Sequence, residues 1–158
     1  MNADDTLVFI HILSAFWYVS GLTAVQICLV RAWQSEDVVM RGDSFVEAAH
    51  YQGVLLVPGA IAAGASGLFL WAQMDYNLFT TGWLILLELI YVAVLLVCLP
   101  LTGMGLRRAR LAALQARKRG GVTPELELAM TDNVPLVFSG VATIAVPLML
   151  LLSVFRPF

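Results

Sequence analysis

Four runs of this sequence, residues 6–30, 51–74, 83–104 and 134–155, are each apolar for longer than 20 residues. A helix rises about 1.5 Å per residue, so roughly 20 apolar residues cover the ~30 Å hydrocarbon layer of a bilayer. Lipid offers no hydrogen bonds to the backbone, and a run of this length satisfies its own N–H and C=O groups only as a helix. The expected fold class is therefore all-α: a four-helix transmembrane bundle, one transmembrane domain over residues 1–158. Composition points the same way. The chain is 60% apolar and 13% charged, whereas an ordinary soluble domain is about 45–50% apolar and about 25% charged. A chain this short cannot hide that excess in a single water-soluble core. A disordered chain, a disulfide scaffold and a nucleic-acid binder are excluded together: the net charge is −2, no long basic face exists, and Cys28 and Cys98 sit inside apolar runs as small core residues.

Basic residues give the direction of the spans. Arg31 and Arg41 lie between spans 1 and 2; Arg107, Arg108, Arg110, Arg117, Lys118 and Arg119 lie between spans 3 and 4; Arg156 alone falls on the other side. Eight against one places both termini outside. The first run has Asp4 and Asp5 in front of it and no basic segment, so it is expected to stay as a span and not to be cleaved as a leader. The outer turn runs from Asp75 to about Gly82. On the inner side, Gly105–Arg119 puts Leu106, Ala109, Ala113 and Ala116 on one helical face with arginines around the rest. Helix 3 is thus expected to continue into the headgroup layer as a short interfacial helix. Gly120-Gly121 ends it, and Thr123-Pro124 reads as an N-cap with proline at the first helical position, restarting a helix toward span 4.

Chemistry has few places to reside. His11 lies five residues into span 1, about 7–8 Å below the outer boundary. His11, Ser14, Tyr18 and Gly21 share one helical face, which should point into the bundle. Such an imidazole is either a buried histidine hydrogen-bonded to a neighbouring helix or the metal ligand of a haem or other tetrapyrrole. Glu88 lies at matching depth in span 3, with Tyr91 one turn further along the same face. A buried carboxylate is protonated or paired, so His11 and Glu88 are expected to interact directly or through one bridging group, with Glu88 orienting the imidazole or tying two helices together. His50 sits at the inner mouth of span 2 beside Glu47 and Tyr51, roughly 20 Å from His11 in depth, and is read as an interfacial histidine. Span 2 carries Pro58, which should kink it. Its run of small residues from Gly59 to Gly67 suits close helix packing or a groove for a flat ligand.

With these residues in view, the chain resembles a known group. The opening Phe9-Ile10-His11-Ile12-Leu13-Ser14-Ala15-Phe16-Trp17, the Pro58-Gly59 pair followed by Ser66-Gly67-Leu68, Pro100, the basic inner loop and the closing Arg156-Pro157 resemble a bacterial family of four-helix predicted integral membrane proteins of unknown function, domain-of-unknown-function family 2269. The same opening is similar, more loosely, to copper-resistance protein D and the HemJ-type protoporphyrinogen oxidase. Likeness to the latter implies His11 as a haem ligand. That oxidase's pattern also uses a membrane-proximal lysine, whereas Lys118, the single lysine here, lies outside the spans.

Two functions follow as expectations. The first is a non-catalytic accessory subunit of a larger membrane assembly, respiratory or photosynthetic. The second is a membrane oxidoreductase that binds haem b or another tetrapyrrole, with His11 as the metal ligand and Ser14, Tyr18, Glu88 and Tyr91 around it. The expected partners are the lipid bilayer, other membrane subunits and a quinone, with no nucleic acid.

Overall fold

A computed structural model describes residues 3–73 and 81–157, with positions 3 and 4 as backbone only. Most of the expected outer turn lies outside these residues. Among them every regular element is helical, and four helical rods are long and apolar enough to cross a membrane. The first is α1 (Ala3–Gln34). The second joins α2 (Val38–Tyr51), a π-turn (Gln52–Leu56) and α3 (Val57–Gln73). The third joins α4 (Gly82–Ala93), a second π-turn (Val94–Cys98) and α5 (Leu99–Arg119). After α6 (Pro124–Met130), α7 (Val134–Phe155) forms the fourth. The rods overrun the apolar runs at the arginine-rich end, where charged residues continue the second and third helices beyond any hydrocarbon.

Both π-turns have a proline as their cause. Proline lacks an N–H, and its ring crowds the carbonyl four residues earlier. The expected kink at Pro58 takes the form of one widened turn: the Val57 N–H reaches back to the Gln52 carbonyl. Pro100 is accommodated identically, with the Leu99 N–H reaching the Val94 carbonyl. Each π-turn begins six residues before its proline, and the helix resumes without a break in direction large enough to end it.

Small residues decide which rods meet. A Cβ at Gly21 would stand 2.5 Å from the Leu56 nitrogen, and one at Gly59 would stand 2.7 Å from the Tyr18 nitrogen. The two glycines therefore bring α1 into backbone contact with the second rod, along whose length it packs. Around the bundle, α2 packs on α5, the third rod on α7, and α7 back on α1. In the half of the bundle farther from the arginines, α4 packs on α7 but barely on α1 or α3.

The arginine-rich half is held by a few directed bonds. The Gln52 side-chain amide donates to the Leu99 carbonyl at 3.1 Å, and Gly103 leaves the space that this amide occupies. The Ser139 hydroxyl donates to Gln26 Oε1 at 2.6 Å, joining α7 to α1. Arg41 donates to the Met130 carbonyl at the end of α6. Leu106, Ala109, Ala113 and Ala116 are all buried, and this face of α5 meets α2, with Ala113 against Gly42. Gly120 closes α5 at φ 73°, a left-handed position suited to glycine. Thr123 then caps α6, accepting from the Leu126 N–H at 3.3 Å. The restart is shorter than the sequence suggests. The α6 helix stops at Met130, and α7 begins afresh with Pro135 in its first turn.

Ion pairs Arg31–Glu47, Arg117–Asp43 and Arg119–Glu125 all lie about half exposed or more, where water screens them and they add little to stability. Packing carries the fold. The outer walls expose Phe16, Phe69, Leu96, Ile144 and Phe155, which lipid solvates as well as a neighbouring helix would.

Candidate functional site

The line predicted on α1 points inward. Ser14 and Tyr18 are buried and His11 is half-buried. His11 Nδ1 lies 3.0 Å from the Ser66 hydroxyl on α3. That hydroxyl has one proton, which goes to the Ala62 carbonyl at 2.7 Å, with the Ala63 carbonyl at 3.0 Å. Ser66 must then accept, so the proton of the imidazole is assigned to Nδ1. The Ala63 backbone is a second hydrogen-bond partner of the ring. Gly67 makes the approach possible: a Cβ there would sit 3.2 Å from His11 Cε1.

The opposite wall comes from α4. Glu88 follows Leu84 and precedes Tyr91 along one helical face and is half-buried. Tyr91 crosses to α3 and donates from its hydroxyl to the Ala60 carbonyl at 2.6 Å, its ring lodged where Gly64 has no side chain. The Glu88 carboxylate is within electrostatic reach of this phenol, yet it has no hydrogen bond and no ion pair with any described residue. Between the walls stands Tyr18, whose buried hydroxyl has no hydrogen-bond partner among the described residues. Ser14 spends its hydroxyl on the Ile10 carbonyl of its own helix, at 2.8 Å.

One expectation needs correction. The direct half of it fails: among the described residues no hydrogen bond or ion pair joins His11 to Glu88, and the imidazole is held by Ser66 and the Ala63 backbone. Since α1 packs on α3 and barely touches α4, the first polar group His11 meets is on span 2. Tyr18 and Tyr91, by contrast, are brought together. Ser66, Gln52 and Gln26 escaped the sequence reading. Ser66 falls on the face of span 2 that carries Gly59 and Ala63 at helical spacing, and that was its signal. His50 is exposed, its ring 5.8 Å from that of Tyr51 at the arginine-rich end. Cys28 and Cys98 are free and buried. Among the described residues, no group of three or more histidine, cysteine or acidic side chains is placed to hold a metal ion.

The chemical capacity of this half of the bundle is thus an oriented neutral imidazole, a carboxylate without a partner and a buried phenol, all within apolar helices. Fold and site together define a multi-pass integral membrane protein, a four-helix bundle with a polar site inside one half. The chain belongs to the family described as Predicted integral membrane protein (DUF2269), which matches residues 5–157. Comparison with curated proteins and with solved structures produced no match.

Proposed function

We propose that the protein is a non-catalytic accessory subunit of a larger membrane assembly, respiratory or photosynthetic, in the bacterial inner membrane, with the arginine-rich end inside and both termini outside. The observation that carries this reading is Glu88. An ionisable side chain inside a membrane span is costly unless it is protonated or paired, and no described residue supplies Glu88 with a partner. A hydrogen-bond donor or cation from a neighbouring subunit would. The eight-to-one basic asymmetry supports the orientation. The test is purification in mild detergent followed by native mass analysis. Stoichiometric partner subunits should be retained, and Glu88→Leu should release them while leaving the helical content intact. A monodisperse monomer from the native membrane would refute the subunit reading.

A second reading is favoured by the geometry of His11. With its proton on Nδ1 toward Ser66, His11 would keep Nε2 for a metal, the tautomer in which histidine serves as an axial ligand. The residues present fit a haem b or similar tetrapyrrole to that extent: His11 would hold the metal, with Tyr18, Glu88 and Tyr91 alongside. When bound, such a group would supply one-electron chemistry, with a quinone or a partner protein as its electron acceptor. An absorption spectrum separates the readings. A Soret band at one haem per monomer, abolished by His11→Ala, would establish the second reading in place of the first.

A further inference from the structure

Six basic residues lie on α5 beyond the apolar run of span 3, and the structure sorts them into two groups. Arg117 pairs with Asp43 and Arg119 with Glu125, on either side of Lys118. Arg107, Arg108 and Arg110 are exposed and form no ion pair or hydrogen bond with any described residue. Depth separates the groups as well. The apolar run begins at Trp83, and about 20 helical residues cross the hydrocarbon, so its far boundary falls near Met104. At about 1.5 Å per residue, Arg107 and Arg108 stand about 5–6 Å past Met104, and Arg110 about 9 Å past it. A headgroup layer is about 5–7 Å thick on each side of the bilayer, and the long arginine stem reaches back over the small remainder. Arg117, Lys118 and Arg119 start about 20 Å past Met104, beyond that layer. The three unpaired arginines lie on the side of α5 turned from the protein, away from buried Leu106 and Ala109. Asp132, which sits against buried Gly105, accepts from the Val134 N–H at 2.9 Å and forms no ion pair with a described residue. Toward the span, Leu96, Pro100 and Met104 are exposed at successive turns. Met104 precedes Arg107 by three residues and Arg108 by four, one helical turn beneath both. An apolar strip therefore ends directly in a cluster of unpaired cations.

We propose that Arg107, Arg108 and Arg110 form a binding site for one glycerophospholipid of net negative charge. Their guanidinium groups take the phosphate through paired N–H donors, and one acyl chain lies along Met104, Pro100 and Leu96. Phosphate and chain thus follow the order of the residues down one helix face. A zwitterionic lipid is disfavoured, because its own cation would meet three positive charges that no carboxylate offsets. Arg117 and Arg119 stand outside the site, matched by Asp43 and Glu125 and past the depth of the headgroups. Confinement to a single turn separates this site from the general attraction of a basic segment to an anionic surface, to which all six residues would contribute. The assignment is independent of what occupies the His11 half.

The experiment is native mass spectrometry of the full chain, exchanged into mixed micelles that hold dioleoyl phosphatidylglycerol and dioleoyl phosphatidylcholine at equal mole fraction. One phosphatidylglycerol should be retained per chain, about tenfold or more in preference to phosphatidylcholine, since each basic residue near the headgroup contributes about fivefold. The triple variant Arg107→Gln/Arg108→Gln/Arg110→Gln should bring the two lipids to within about twofold of each other. The triple variant Arg117→Gln/Lys118→Gln/Arg119→Gln removes the same charge and should stay within about twofold of the wild-type preference. All six side chains are exposed, so both variants should keep the helical content of the wild type by circular dichroism. The single variant Arg108→Gln, a still milder change, should lower the preference about fivefold. Equal loss in the two triple variants would reduce the effect to general electrostatics and overturn the assignment, as would a wild-type chain without preference. Full competition by water-soluble glycerophosphoglycerol would overturn it too, since that would mark a phosphate site that makes no use of the apolar strip.

Discussion

Adding one methyl group where α1 crosses the second rod should destabilise this protein more than removing any of its surface ion pairs. The perturbations are Gly21→Ala and Gly59→Ala. A Cβ at Gly21 would lie 2.5 Å from the Leu56 nitrogen and 2.7 Å from the Leu55 carbonyl carbon, where ordinary contact is 3.4–4 Å. At Gly59 the same atom would lie 2.7 Å from the Tyr18 nitrogen and 2.8 Å from its Cα. Every one of these obstacles is backbone, so no rotamer change relieves the overlap, and the two rods must part by about 1 Å. A gap of about 0.5–1 Å already forfeits a quarter to a half of each van der Waals well it crosses. Overpacked sites lose about 1–3 kcal/mol, and an unyielding backbone puts both substitutions at the upper end, about 2–3 kcal/mol each. The natural control is Gly140→Ala, where nothing lies within 4 Å of the new Cβ; there the helix should gain about 0.5–1 kcal/mol. Reversible unfolding in mixed micelles, titrated with a denaturing detergent and followed by circular dichroism, measures all three. Because both methyl groups would prop open one crossing, the double variant should lose clearly less than the sum of the single losses. If Gly21→Ala and Gly59→Ala fall within about 0.5 kcal/mol of Gly140→Ala, or add independently, the close crossing is not where the structure puts it.

Ser66→Ala removes the acceptor that fixes the His11 proton on Nδ1, so nitrogen NMR of histidine-labelled protein should change from one tautomer to a mixture; an unchanged spectrum refutes the assignment. Gln52→Ala should cost about 1–2 kcal/mol through the lost bond to Leu99. In that background Gly103→Ala should become almost free, since the atom it would strike is the Gln52 amide at 2.8 Å; equal cost in both backgrounds would contradict the contact. For orientation, a cysteine at Asn77 should react with an impermeant thiol reagent from outside and one at Gln115 should not, with little background because Cys28 and Cys98 are buried. The reverse pattern would invert the topology.

Much of the fold was legible residue by residue. The four rods, the inward line of Ser14 and Tyr18 and the buried face Leu106, Ala109, Ala113 and Ala116 follow from helical spacing within single segments. Caps at Thr123 and Gly120 likewise depend on two or three neighbouring residues. The partner of that α5 face was not legible: it meets α2, with Ala113 beside Gly42. Matching depth paired His11 with Glu88, whereas the direct partners of the imidazole, Ser66 and Ala63, lie on span 2. Depth along a span is a sequence property, whereas azimuth around the bundle is not.

The sequence by itself determined that this chain lives in lipid as four helices. Hydrocarbon forces each span to satisfy its own backbone, so that information is contained within each apolar run. Only the tertiary structure decided that His11 turns to Ser66, that Glu88 is left without a partner and that Gln52 reaches Leu99. Those outcomes depend on which rods come into contact: Gly21 and Gly59 let α1 reach the backbone of span 2, while α4 packs mainly on α7.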